Sequence, residues 1–322
     1  MGRLLLKRFL ASLLLILAVT FVTNAILVLS PGSYIDTLRG QRLSEEYIEQ
    51  LAAKHHLNSE NILERYWFWL SPAIKGDFGY SFSNKVGVWE LITERTSYTL
   101  LLTGSAMILS WLLAIPLGVL AGFYRNRWID RLCSVISFAG LSIPAVFFAL
   151  LLVVFAAKTG LFPVGGVHDQ VNWSQMNGWE KLVDVMHHLI LPMMVIATIS
   201  IAQYMRQMRS EMVETLSQDY IRTARAKGLS WSRVIVRHAL GNAINPLITL
   251  FGFSLSSLLA GAVLTENVFA WPGLGTLIIQ AVLTKDQPVV MATATMLVLS
   301  LAVGNLIADL LLAANDPRVR VT

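Results

Sequence analysis

Six long apolar runs decide what this chain can fold into. They lie at about 9–29, 98–123, 133–157, 189–205, 244–268 and 289–314. The first four carry no charge, and the last two carry one each, Glu266 and Asp309. A helix needs roughly 20 mostly apolar residues to cross the hydrocarbon core of a bilayer. Five runs meet that length, and the run at 189–205 is shorter, with the least defined end. Across the 322 residues, 55% are hydrophobic and only 14% charged, against about 25% charged in an ordinary soluble domain. A soluble globule of this composition would leave too much apolar surface in water. The expected fold is therefore an all-α integral membrane protein of about six transmembrane helices. Pro116, Pro144, Pro192 and Pro246 fall inside the runs, which membrane helices tolerate because neighbours satisfy the freed carbonyls.

The division that follows has four parts. Residues 1–30 form a first span with a cytoplasmic N-terminus. Its basic start (Arg3, Lys7, Arg8) resembles a secretory signal, but the apolar run is long for one and Leu29-Ser30-Pro31 is a poor cleavage site. Residues 31–96 form an extracytoplasmic insert, rich in acidic side chains. Within it, Ser44 is positioned to cap a helix that ends near Lys54-His55. A second helix starts near Asn58-Ser59 and carries Tyr66 to Trp69, and Gly76-Asp77-Phe78-Gly79 reads as a turn. Residues 97–314 form a five-span core that includes a cytoplasmic segment at 206–243, and residues 315–322 form a cytoplasmic tail. Orientation rests on Lys and Arg. With alternating spans, 15 of the 25 fall on the N-terminal side; of the other 10, 7 lie in the insert, which the positive-inside rule weighs lightly.

The segment at 206–243 has the most distinctive local pattern. Asp219 reads as an N-cap and Gly228 as a C′ residue, framing a helix of about two turns, Asp219-Tyr220-Ile221-Arg222-Thr223-Ala224-Arg225-Ala226-Lys227-Gly228. Ser230 then caps a further helix from Trp231 to Gly241. Ala224 and Ala226 are small enough for close approach, and Arg222, Arg225 and Lys227 supply a basic face. Two readings stand side by side: an amphipathic helix resting on anionic headgroups, or a knob that docks into a cytoplasmic partner.

Thr223-Ala224-Arg225-Ala226-Lys227-Gly228, followed by His238-Ala239-Leu240-x-Asn242-Ala243-x-x-Pro246, resembles the signature loop of ABC-transporter permeases, in particular the first permease of the peptide/nickel uptake group. Ser30-Pro31-Gly32, Gly76-Asp77-Phe78-Gly79, Phe269-x-Trp271-Pro272-Gly273-Leu274-Gly275, Pro288-Val289-Val290, Asn305-x-x-x-Asp309 and Asp316-Pro317-Arg318-x-Arg320 follow in matching order along almost the whole chain. The usual Glu-Ala-Ala start of the loop reads Arg222-Thr223-Ala224, Ser33 stands for a frequent aspartate, and Lys285 for a frequent arginine. The resemblance implies a type I ABC importer transmembrane fold. The helix at about 219–228 would be its coupling helix, seated in a cleft of a separate ATPase. Asp219, Tyr220, Arg222, Thr223, Ala224, Arg225, Ala226, Lys227, Gly228, His238, Asn242 and Pro246 are its coupling residues. The implied partners are a paralogous second permease, two ATP-binding ABC ATPase subunits and an extracytoplasmic solute-binding protein, within a lipid bilayer and with no nucleic acid. Peptides are the commonest solute of the group, with nickel, glutathione and oligosaccharides as alternatives.

Other residues invite a role and a plainer reading together. Glu266, Trp271, Pro272, Gly273, Gly275, Asn305 and Asp309 either line the pathway or serve polar packing; an ionisable group in a span is costly unless paired or wet. Gly118-x-x-x-Gly122 is a candidate close helix contact. His55-His56 and His187-His188 suggest a metal, but adjacent histidines on a helix diverge by about 100°, so solvated surface residues are expected and no metal or cofactor. Cys133 is the sole cysteine, which excludes a disulfide framework and suits a small apolar filler. No phosphate-binding loop occurs, so ATP hydrolysis falls to a partner. Neither a His-Glu-x-x-His nor a Gly-x-Ser-x-Gly motif supports an intramembrane enzyme, and a channel needs no capped cytoplasmic knob.

Overall fold

The computed structural model describes residues 2–32, 34, 61–259 and 262–315. Its regular structure over these residues is all helical, apart from a single isolated bridge between Tyr80 and Gly87. The elements are α1 (Gly2–Leu29), α2 (Ile62–Ala73), α3 (Val88–Phe123), α4 (Trp128–Ser142), α5 (Ala145–Thr159), α6 (Gly178–Leu216) and α7 (Asp219–Ala226). They continue with α8 (Trp231–Ala243), which contains a π-helical turn at Val234–Ala239, then α9 (Asn245–Ser256), α10 (Val263–Val268), α11 (Leu274–Leu283) and α12 (Gln287–Asn315). The expected helix capped by Ser44, the His55-His56 pair and the tail motif at Asp316–Arg320 lie outside the described residues.

Four of the helices, α1, α3, α6 and α12, are long and apolar enough to cross a bilayer. Two bent pairs bring the number of candidate spans to six: α4 with α5, and α8 with α9. The expected run at 133–157 is thus no straight span. It turns by 96° between α4 and α5, because Ile143 precedes a proline and takes an extended backbone. The run at 244–268 is also broken. α9 stops at Ser256, and a separate short helix, α10, follows. A 53° bend precedes α9, where Pro246 supplies no backbone donor. By contrast the short run at 189–205 belongs to a helix of 39 residues. A full capping box starts it: Asn177 accepts from the Glu180 backbone, and Glu180 accepts from that of Asn177. The run at 98–123 likewise extends back to Val88, nine residues into the expected insert.

The chain divides into two compact units. One comprises Met1–Thr99 with Pro272–Ala302. In it Asn24, fully buried on the apolar α1, donates to Ile62 O at 3.0 Å and accepts from Gln287 at 3.1 Å. Thr20 Oγ1 lies 2.9 Å from the Tyr66 hydroxyl. α2 begins at Ile62, capped by Asn61 rather than at Asn58-Ser59. The other unit comprises Leu100–Trp271 with Val303–Thr322, and α6 is its spine. Gly118 and Gly122 of α3 lie against Met208 and Met212 of α6; a β-carbon on Gly118 would meet Met208 Cβ at 2.5 Å, and one on Gly122 would meet Met212 Cβ at 2.6 Å. The Gly-x-x-x-Gly spacing is therefore a helix seam. Cys133 is buried among Ala114, Ala121, Tyr204 and Met205, the apolar filler expected of it.

Candidate functional site

α7 is amphipathic over only eight residues. Ile221 and Ala224, three apart and hence on one face, are buried against Met208 and Met212 of α6, Val234 and Ala239 of the π turn, Ala243 and Leu247. Asp219, Tyr220, Arg222, Thr223, Arg225, Ala226 and Lys227 are exposed. Ala224 therefore fills the chain's own interior, and close approach from outside falls to Thr223 and Ala226.

Both ends of α7 have identifiable causes. Gln218 occupies the cap position in extended conformation without a side-chain bond, so Asp219 is the first helical residue rather than the cap. There its charge favours the positive end of the helix dipole, and it accepts from Arg222 at 3.3 Å in an exposed pair. At the other end Gly228 has φ +81°. Its N–H donates to Arg225 O at 2.9 Å, and that of Leu229 to Ala224 O at 3.3 Å. This pair of bonds is a Schellman motif, which needs the left-handed residue that glycine adopts without strain. Leu229 packs on the same apolar cluster.

The surrounding side chains hold the protrusion in place. The Arg225 guanidinium donates to Leu229 O and lies 4.4 Å from the centre of the Trp231 ring, a cation–π contact. Trp231 meets Phe123 edge-on at 5.3 Å. Asn242 Nδ2 donates to the Tyr220 hydroxyl at 3.0 Å and to His238 O at 3.2 Å. The Tyr220, Arg225 and Asn242 side chains thus tie α7 to α8, with Asn242 also bonded to the His238 carbonyl, while the exposed Arg222, Thr223, Ala226 and Lys227 form the outward surface. A cavity of about 520 Å³ beside Trp231 is walled partly by Tyr124, Arg125 and Arg127.

Sequence reasoning missed the clamp behind this surface. Arg209 of α6 grips Asp130 of α4 through two bonds, one of them Nη2 to Oδ2 at 2.8 Å. Asp130 is buried and also accepts from Asn126 N at 2.8 Å, where Asn126 is left-handed with φ +65°. The α3–α4 turn is thereby fixed to α6 seven residues before α6 ends. The two residues are 79 apart in sequence, and only an unusual charge beside an apolar run hinted at them.

The second group of sequence-selected residues faces inward. Glu266 and Trp271 are completely buried. Glu266 O accepts from Trp271 N at 2.8 Å across a turn whose Ala270 has φ +49°. Gly165 abuts this turn: Gly166 N donates to Phe269 O at 2.8 Å, and a β-carbon on Gly165 would meet that oxygen at 2.6 Å. In the other unit, Gly273 and Gly275 are buried at the start of α11, with Pro272 half-buried before them, and Thr99 Oγ1 accepts from Leu274 N at 2.8 Å. Asn305 and Asp309 are half-buried on α12.

Three of the ordered motifs converge in the first unit. Asp286, fully buried, accepts at Oδ2 from Ser81 Oγ (2.7 Å), Ser83 N (2.9 Å) and Ser83 Oγ (2.6 Å), just after Gly76–Gly79. Lys285 Nζ donates to Ser30 Oγ at 2.5 Å and to Pro31 O at 3.1 Å. The histidines differ from expectation. His187 and His188 are half-buried and bonded separately, to Leu161 O and Asp184 O, each at 2.9 Å.

Residues 114–321 match the family described as binding-protein-dependent transport system inner membrane component, and residues 1–103 match its N-terminal region. The oligopeptide transport system permease protein AppB of Bacillus subtilis (strain 168) is 39% identical over 99% of both chains. The dipeptide transport system permease protein DppB of Escherichia coli (strain K12) is 36% identical over 94% of both. Among solved structures, a chain of the inward-facing MetNI methionine ABC transporter superposes with a TM-score of 0.54 at 18% identity, covering 71% of this chain and 97% of that one.

Proposed function

The chain belongs to the family of binding-protein-dependent transport system inner membrane components, and from that premise we propose that it is the permease subunit through which an ATP-driven importer moves peptides. It is a multi-pass inner-membrane protein with the transmembrane fold of an ABC importer. The chain does no covalent chemistry itself; it forms the pathway with a paralogous permease, takes solute from an extracytoplasmic binding protein and is driven by two ATPase subunits. Both termini and α7 face the cytoplasm. The peptide assignment is supported by near full-length relatives named for oligopeptide and dipeptide transport.

One observation carries the mechanism: α7 is a short helix whose inner face is locked to α6, α8 and α9 while its outer face carries exposed charge. A helix held this way transmits displacement instead of absorbing it. When the ATPases close on ATP, their push on Arg222, Thr223, Ala226 and Lys227 passes through Ile221 and Ala224 to Met208 and Met212 and so to α6. Gly228 keeps the connection to α8 tight.

Reconstitution with the partner subunits tests the reading. ATP-dependent uptake of labelled di- and tripeptides into proteoliposomes is expected, with less uptake of nickel, glutathione or an oligosaccharide. Efficient transport of one of those three and not of peptides would refute the solute assignment. For orientation, Lys75→Cys and Ser217→Cys in a Cys133→Ser background should react with an impermeant maleimide from opposite faces, Lys75→Cys from outside.

A further inference from the structure

A second feature of the larger unit has no assigned role. Between α3, α5, α6, α9 and α10 lies a cavity of about 230 Å³. Among the described residues its lining holds no Asp, Glu, Lys, Arg or His, yet it is rich in hydroxyls: Thr103, Thr265, Ser200, Tyr204, Ser254 and Ser257.

Counting protons gives the last four of these hydroxyls a direction. Ser254 Oγ donates its only proton to Leu250 O at 2.8 Å. The 2.5 Å contact between Tyr204 and Ser254 must then run from the tyrosine, so Tyr204 spends its proton on Ser254. Ser200 Oγ donates to Ile196 O at 3.2 Å, and Ser257 Oγ to Ser254 O at 3.0 Å. All four protons are committed to the protein, and what each oxygen still offers is lone pairs. The face that these four side chains form is therefore neutral and accepting. A guest bearing N–H groups gains hydrogen bonds there; a carboxylate meets oxygen against oxygen, with its desolvation uncompensated.

We propose that this cavity is a solute subsite that takes the N–H-donating end of a peptide, its ammonium or amide group. Its volume is below the ~300–1,000 Å³ of pockets that enclose whole small molecules, so it holds one residue of a solute rather than all of it. A neutral wall also suits passage, since it holds a cation less tightly than a buried carboxylate would. The proposal rests on the reading of the chain as a peptide permease and narrows it to a set of contacts.

The test uses the assembled transporter carrying Ser257→Cys in a Cys133→Ser background. Ser257 is exposed, so N-ethylmaleimide should alkylate the new thiol. The probes are alaninamide, which bears N–H donors at both ends, and acetate, which bears none. Alaninamide should slow alkylation about tenfold, the worth of one charge-assisted hydrogen bond, and acetate should leave it unchanged. Tyr204→Phe, which removes one acceptor, should weaken that protection severalfold. Ser200→Cys provides a second reporter if Ser257→Cys fails to assemble. Equal protection by both probes, or protection by neither, overturns the proposal. Peptide uptake by the wild-type complex is measured separately. A complex that moves no peptide but shows alaninamide-selective protection sinks the peptide reading and keeps the subsite; one that moves peptides without selective protection does the reverse.

Discussion

Two turns of the larger unit use the same local device for opposite ends. At α7 the chain reverses through Gly228, with φ +81°, and the added β-carbon there would meet nothing. At Phe269–Trp271 it reverses through Ala270, with φ +49°, and the adjoining Gly165 has no room for a β-carbon. The first turn presents charges to solvent; the second seals Glu266, Phe269 and Trp271 inside. Both looked like functional motifs in the sequence. Their exposure separates them: an outward polar face is available to a partner, and an inward aromatic turn holds the fold.

That contrast is broken or sharpened by four substitutions, taken in order of their expected cost to stability. Trp271→Ala should be the most damaging, at about 3–5 kcal/mol for a fully buried aromatic, seen as a large fall in the melting temperature of the detergent-solubilised complex. An unchanged melting temperature would erase the distinction between the turns. Ala224→Glu comes next, at about 2–3 kcal/mol, because it forces a charge into the cluster beneath α7; lowered abundance should accompany any loss of transport. Arg209→Met should cost about 1–2 kcal/mol, less than a fully buried ion pair because about a third of the arginine faces water. Its signature is loosening of the α3–α4 turn, read as faster hydrogen exchange around Asn126. Ala226→Glu should change stability by less than about 0.5 kcal/mol and yet reduce co-purification of the ATPase tenfold or more. Normal association in Ala226→Glu would remove α7 as the docking surface.

Much of this was legible in the sequence, for definite reasons. Apolar runs report spans because every residue in them is selected by the same solvent. Gly228 was legible because few residues other than glycine accept a left-handed backbone at a helix end. The end of α7 next to Gln218 was misread by one position, since Asp219 is chemically the better cap and the chain does not use it. The facing of Ala224 was hidden: with alanine at both 224 and 226, residue type does not tell which of the two lies on the buried face. The Asp130–Arg209 clamp and the Asp286 cluster join residues far apart in the chain, and no local pattern announces such pairs. Helix length was underread wherever polar residues continue a helix beyond the apolar run, as at both ends of α6.

The length of α6 has a mechanical consequence. Thirty-nine residues at 1.5 Å each make a rod of roughly 58 Å, about twice the thickness of the hydrocarbon it crosses. A rod that long is a lever. If one end is held, a tilt of only a tenth of a radian sweeps the other through roughly 6 Å, about one helical turn. A modest push at one membrane surface can thus arrive at the other as a shift large enough to exchange one set of side-chain contacts for the next.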